Sequence, residues 1–166
     1  MEAAIIVDNL TKKFGEFTSV DAISFTVNKG EIFGLLGANG AGKTTTIRML
    51  CGLLIPTSGR MNVAGYDVFT HGKEIRKHIG YMSQKFSLYD DLTVIENLEL
   101  FGTIYKIKRD ILKKRILHII ARLQMRDFAG SKVLSLPLGQ KQKLAFATAL
   151  IHNPEIVFLD EPTSGV

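Results

Sequence analysis

Cysteine is nearly absent. Cys51 stands alone, so no intramolecular disulfide can form and the chain suits a reducing compartment. Long apolar runs are missing as well: no stretch approaches the roughly 18 to 20 residues that a membrane-spanning helix requires. The N-terminal region shows no basic segment followed by an apolar one, because Glu2, Asp8 and Asp21 interrupt short strand-like runs. A secretory leader is therefore not expected. Internal repeats and low-complexity segments are also lacking, which argues against solenoids and disordered linkers. The charge excess is modest, with 21 Lys+Arg against 16 Asp+Glu and a net charge of +5. Such a balance is compatible with nucleic acid, anionic lipid or a phosphate ligand and selects none of them.

What is present is an ordinary globular composition, 46% hydrophobic and 22% charged over 166 residues. That length supports one domain with a real core and a small inserted lobe. Ala4 to Leu10, Ala22 to Val27 and Glu31 to Leu36 read as strands, with a turn at Asn28-Lys29-Gly30. Asp21, Ser24, Thr26 and Asn28 alternate with apolar residues, as on a strand with one wet face. Ile32 to Leu36 is continuously apolar and predicts a strand buried on both faces. A helix is expected from Lys43 to about Cys51, a turn at Pro56 to Gly59, and a short strand from Met61 to Ala64. Ile75 to Ile79 looks helical and Gly80 to Ser83 strand-like. Helical spacing then runs from Thr93 to about Lys106, and from about Arg109 to Gln124 with Ile111, Leu112, Ile116, Ile119, Ile120 and Leu123 on one side. A third helical pattern covers Gly139 to Ile151, and Glu155 to Leu159 is a strand ending in Asp160-Glu161. Strands alternating with helices indicate an α/β fold with a partly parallel sheet.

The strongest motif is Gly37-Ala-Asn39-Gly40-Ala41-Gly42-Lys43-Thr44, the pattern Gly, four residues, Gly-Lys-Thr, between a predicted strand and a predicted helix. A polyphosphate needs many donors in a small concave space. Small residues let backbone N–H groups converge without Cβ clashes, and the following helix N-terminus adds partial positive charge. Lys43 would reach the β- and γ-phosphates, and the Thr44 hydroxyl would occupy one position on an octahedral Mg²⁺. Ile156 to Leu159 leads into Asp160 and Glu161. Such a strand end can let Asp160 hold Mg²⁺ through water and let Glu161 polarise an attacking water as general base.

With these motifs quoted, the chain resembles the nucleotide-binding domain of the ATP-binding cassette (ABC) ATPases along nearly its whole length. The resemblance implies an α/β P-loop NTPase (RecA-like) core, about 1–85 and 143–166, with an N-terminal antiparallel β subdomain and an inserted α-helical lobe, about 86–142. It implies that Phe14 stacks on adenine and that Gly37, Asn39, Gly40, Ala41, Gly42, Lys43, Thr44 and Thr45 form the phosphate loop. Gln84 matches the glutamine that touches Mg²⁺ and links lobe to core. Thr44, Gln84 and Asp160 are thus the implied metal residues, Glu161 the catalytic base, and Lys43 and Gln84 its catalytic companions. ATP and Mg²⁺ are the implied ligands. Phe86, Leu88 and Tyr89 either line the groove that receives a permease's coupling helix or pack the helical lobe. The basic run Lys106, Lys108, Arg109, Lys113, Lys114 and Arg115 reads by default as a solvated helix face, with anionic lipid contact as the other reading.

Two departures from the family stand out. The signature is usually Leu-Ser-Gly-Gly-Gln, whereas this chain reads Leu136-Pro137-Leu138-Gly139-Gln140, in a register where Gln140 lies 20 residues before Asp160. Proline at the serine position removes a hydroxyl and a backbone N–H, groups that in the family reach nucleotide held by the opposing subunit. Pro137, Gly139 and Gln140 are carried over with that change, and the form resembles the signature of one branch of bacterial multidrug-type exporters. Secondly, the family continues past the Walker B acids with a D-loop aspartate, a further strand and a switch histidine. His71, His78, His118 and His152 all precede Asp160, so the resemblance implies a C-terminally incomplete chain, inactive alone. The function implied is that of an ATP-hydrolysing subunit at the cytoplasmic face of a membrane, partnered by a permease and by a second ATP-binding domain, head to tail. The exporter direction is favoured and nucleic acid is not expected. A soluble relative acting on ribosomes or DNA, and a regulatory nucleotide-binding module, are the alternatives.

Overall fold

Alternation of apolar and polar residues builds the first two strands, β1 (Ala3–Phe14) and β2 (Phe17–Asn28), into an antiparallel hairpin with Phe14 opposite Phe17 at its tip. In this computed structural model the described residues are 2–38, 40–83 and 87–160. They fall into two units, Met1–Ile79 and Gly80–Val166.

In the first unit, Ile5, Val7 and Leu10 of β1 and Val20 and Val27 of β2 are buried, while Asp21, Ser24 and Thr26 are exposed. β3 (Ser58–Val63) pairs antiparallel with the other edge of β1, and β4 (Tyr66–Asp67) returns along β3. The strand order is β2-β1-β3-β4. α1 (Lys43–Leu50) buries Ile47, Met49 and Leu50, and α2 (Gly72–His78) buries Ile75. The Arg76 guanidinium fastens α2 by donating to the Gly52 carbonyl at 2.7 Å.

The strand expected over Glu31 to Leu36 is not formed. These residues are irregular, with Ile32 fully exposed and Leu36 93% exposed. A segment apolar on both faces gains from strand geometry only with a ladder on each side and a layer over each face. Neither sheet among the described residues includes it. Local contacts hold it instead: the Asn28 N–H donates to the Glu31 carboxylate at 2.8 Å, and Phe33 stacks on Phe25 with centroids 5.1 Å apart.

In the second unit, β5 (Ile79–Met82) is hydrogen-bonded beside β6 (Ile156–Leu159). Three helices follow the predicted periodicity closely: α3 (Val94–Ile104), α4 (Arg109–Arg122) and α5 (Leu138–Leu150). Val94 and Leu98 of α3, Leu112, Ile116 and Ile120 of α4, and Leu144 and Ala147 of α5 share one core. Leu112 lies over Gly102: a Cβ on Gly102 would sit 2.2 Å from a Leu112 methyl. Asn97 is fully buried and ties the preceding loop to α3, donating to the Tyr89 and Thr93 carbonyls and accepting from the Tyr89 N–H at 3.0 Å. Leu88 packs against this core, whereas Tyr89 is exposed and tilted against Phe101.

Of the six apolar positions expected on one side of α4, five share it: Leu112, Ile116 and Ile120 are buried in the core, and Ile119 and Leu123 are half-buried and packed against it. Ile111, 46% exposed, departs, because at 3.6 residues per turn it lies about a quarter-turn outside the arc the other five share. Among the described residues no helix is long and apolar enough to cross a membrane.

Candidate functional site

Glycine-rich sequence places the chain's best donor cluster at the start of α1. Gly40 and Gly42 adopt φ of 84° and 82°, conformations that side chains rarely tolerate. Gly42 has a second reason to lack a Cβ, which would lie 2.3 Å from the Ser19 carbonyl oxygen of β2. The loop is therefore pressed against the hairpin that carries Phe14. Ser19 reinforces this contact, its hydroxyl donating to the Thr45 hydroxyl at 3.1 Å. No sequence signal marked Ser19; its role comes from the register of β2 beside the loop.

α1 opens without a side-chain cap and without an acid in its first turn. Thr46 returns to the Gly42 carbonyl through both its N–H, at 2.8 Å, and its hydroxyl, at 2.9 Å. The turn is closed from behind, leaving its positive end unneutralised by any side chain of its own. The Lys43 ammonium donates to the Gly37 and Ala38 carbonyls, at 2.5 and 2.9 Å, and so lies along the loop. Ala41 closes the same loop by donating to the Ala38 carbonyl. Thr44 and Gly37 are exposed there. At the hairpin tip, Phe14 is half exposed, and the Lys12 ammonium stands 5.1 Å from its ring centroid. Phe14, Gly37, Gly40, Ala41, Gly42, Lys43, Thr44 and Thr45 thus all belong to the first unit.

The remaining predicted residues divide between the second unit and positions outside the described ones. Asp160 is buried at the end of β6; its N–H donates to the Met82 carbonyl and its carboxylate accepts from the Tyr81 hydroxyl at 3.4 Å. Tyr81 was not anticipated, though its place on the neighbouring strand fits a role in orienting that carboxylate. Pro137 immediately precedes α5, and its carbonyl accepts from the Gln140 and Lys141 N–H groups. Leu138 and Gly139 are exposed in the first turn, which again has neither side-chain cap nor acid. Gln140 is half-buried with its Oε1 unpartnered. Ser135, two residues before Pro137, spends its hydroxyl on the Lys132 carbonyl. Asn39, Gln84, Phe86 and Glu161 lie outside the described residues.

In the first unit, a helix start with a lysine and converging glycines suits a polyphosphate. Thr44 in that unit and Asp160 in the second each carry a hard oxygen atom of the kind Mg²⁺ takes. Among the described residues no three His, Cys, Asp or Glu side chains gather into a site for a softer metal.

The chain is similar to known proteins along nearly its whole length. The model of the ABC transporter family matches residues 20–164. The chain is 49% identical over 165 residues to the Escherichia coli (strain K12) protein named "Probable multidrug ABC transporter ATP-binding protein YbhF", covering 99% of this chain and 28% of that protein. It is 42% identical over 149 residues to the ABC transporter ATP-binding protein NatA of Bacillus subtilis (strain 168), covering 89% of this chain and 61% of NatA. The chain therefore spans only part of the length of these relatives. A solved dimeric ATP-binding cassette in a post-hydrolysis state, bound to ADP and Pi, superposes with a TM-score of 0.85 at 30% identity, covering 98% of this chain and 75% of that one. The fold is accordingly the α/β fold of the P-loop NTPases, and the chain belongs to the ABC transporter family.

Proposed function

We propose that this chain is the ATP-binding part of an ATP-hydrolysing subunit of an ABC membrane transporter, an exporter of the multidrug type. The observation that carries the reading is the start of α1, where an uncapped helix end, two glycines at positive φ and the Lys43 ammonium converge on one loop. Backbone N–H groups there bind phosphate oxygens, and Lys43 leaves the Gly37 and Ala38 carbonyls to neutralise the β- and γ-phosphates. Phe14 offers its exposed ring to adenine. Thr44, Asp160 and Gln84 would hold Mg²⁺, whose chemistry is to neutralise charge on the phosphates. Glu161 orients and deprotonates the attacking water. The core and lobe, 1–85 with 143–166 and 86–142, would serve a head-to-tail pair in which Pro137, Gly139 and Gln140 face the partner's nucleotide. The multidrug relative supports a transporter role and the dimeric cassette supports pairing; a permease would be the membrane partner and the cytoplasmic face the location.

Pro137 favours a second reading, a regulatory module that binds ATP without turning it over, because it lacks the hydroxyl and N–H of the usual serine. Calorimetric titration with Mg-ATP tests the first step of both. Lys43→Ala should lower affinity by about a hundredfold or more, since it removes a charge-assisted contact to two phosphates. Equal affinity for variant and parent would overturn the assignment. Turnover by the full-length protein with its permease then separates transport from regulation.

A further inference from the structure

The second unit carries a cavity of about 710 Å³ away from the signature turn, between α4, the end of α5 and the Asn153-Pro154 turn. Its floor is apolar, formed by Ile119, Leu123, Phe146, Leu150 and Ile151, with Ile111 at one edge. Its rim is basic: Lys114, Arg115, His118 and Arg122 all come from α4. Positions 111, 115, 118 and 122 recur at helical spacing on the face of α4 next to its core face, and Ile119 and Leu123, at the edge of the core face, reach the cavity while also packing against the core.

We propose that this cavity binds a single-chain anionic amphiphile, its apolar chain on the floor and its carboxylate or phosphate head at the rim. Charge and shape both select that class. None of the described ion pairs, Lys29–Glu2, Arg60–Asp8, Lys77–Glu74 and Lys141–Asp90, uses a rim residue. One cation is already held in place: Arg115 is half-buried and donates through Nη1 to the Ile151 carbonyl at 3.1 Å, at the C-terminal end of α5. That bond fixes its planar fork at the mouth and leaves other N–H groups for an anion, whereas Lys114, His118 and Arg122 are exposed and can follow the head group. The volume lies in the range of small-ligand sites. A flat bilayer surface would meet the rim but not the recessed floor. Closure at the far end comes from the α5 turn, where Asn153 takes φ of 60° and donates to the Leu150 carbonyl.

The experiment titrates the protein with decanoate below its micellar concentration and, in parallel, with decanol. Expected is one saturable decanoate site, with decanol at least about tenfold weaker, as loss of charge-assisted hydrogen bonds dictates. Lys114→Glu with Arg122→Glu should weaken decanoate by about tenfold or more, and Ile111→Asp, at an exposed edge position, should do so too. A diazirine-bearing decanoate, cross-linked to the unaltered protein and mapped by mass spectrometry, should label α4 and residues 146–154. Equal binding of decanol and decanoate, an unaffected rim variant, or label spread elsewhere would each overturn the proposal. So would binding to phosphatidylglycerol vesicles or to an acidic helical peptide with none to decanoate, since the rim would then be a membrane or protein contact.

Discussion

The helix starts of α1 and α3 solve the same problem in opposite ways. α3 is closed by its own side chains: the Thr93 hydroxyl accepts from the Glu96 N–H, and the Glu96 carboxylate accepts from the Thr93 N–H at 2.7 Å. That bond from the Thr93 backbone, and then its hydroxyl, hold the Glu96 carboxyl below its ordinary pKa. α1 has neither device, and α5, opened by Pro137, has neither. A first turn with neither a side-chain cap nor an acid keeps its donors and its positive end open to an anion. α2 and α4 are also uncapped but carry Glu74 and Asp110 in their first turns, so the lack of both devices marks α1 and α5, the two helices to which the family resemblance assigns nucleotide.

The comparison breaks most visibly at Gly42. Gly42→Ala should destabilise the first unit by about 2 kcal/mol or more, because the added Cβ meets the Ser19 carbonyl and φ is strongly positive. It should weaken Mg-ATP binding as well. Chemical denaturation and calorimetry together check this, and a variant with parental stability would mean the loop is not pinned to β2. Thr93→Ala should cost about 1 kcal/mol, the usual value of an N-cap, while leaving nucleotide affinity unchanged. A loss of affinity there would deny that α3 is purely architectural. Pro137→Ser, in the full-length protein, should raise ATP turnover or leave it unchanged, by restoring a hydroxyl and an N–H. A large loss of activity would show instead that proline presets the turn before α5.

The smallest effect is a pH dependence. Because the folded pKa of Glu96 is depressed, its contribution is present above the unfolded carboxylate pKa and fades as pH falls through the lowered folded value. Glu96→Ala should therefore be less stable than the parent at neutral pH, with the gap narrowing on acidification. A gap independent of pH would remove the carboxylate from the capping account.

The glycine-rich turn and the helix that follows it were legible in the sequence because their requirements are local, small residues followed by a helix-forming run. The hairpin and α3 to α5 were legible for the same reason, each carrying its own period. Glu31 to Leu36 was misread because its apolar run reports only what a strand would need around it, not whether those neighbours are present. On α4 only Ile111 was misplaced, because an apolar residue beside the stripe in sequence reads as part of it even where the helix turns it outward. Tyr81 and Ser19 escaped notice since each acts through a residue far away in sequence, Asp160 and Thr45 respectively.

Gly102 gives the second unit a fixed registration mark. Leu112 of α4 occupies the space a Cβ at 102 would fill, so α4 cannot advance or retreat along α3 by a turn without driving Leu112 against a side chain. The pair works like a pin in a single hole, and it sets which residues α4 turns outward. The basic stripe of Lys114, His118 and Arg122 is therefore indexed by a glycine on a different helix. A side chain introduced at 102 would reach that stripe without touching it, by shifting the whole ruler on which it is marked.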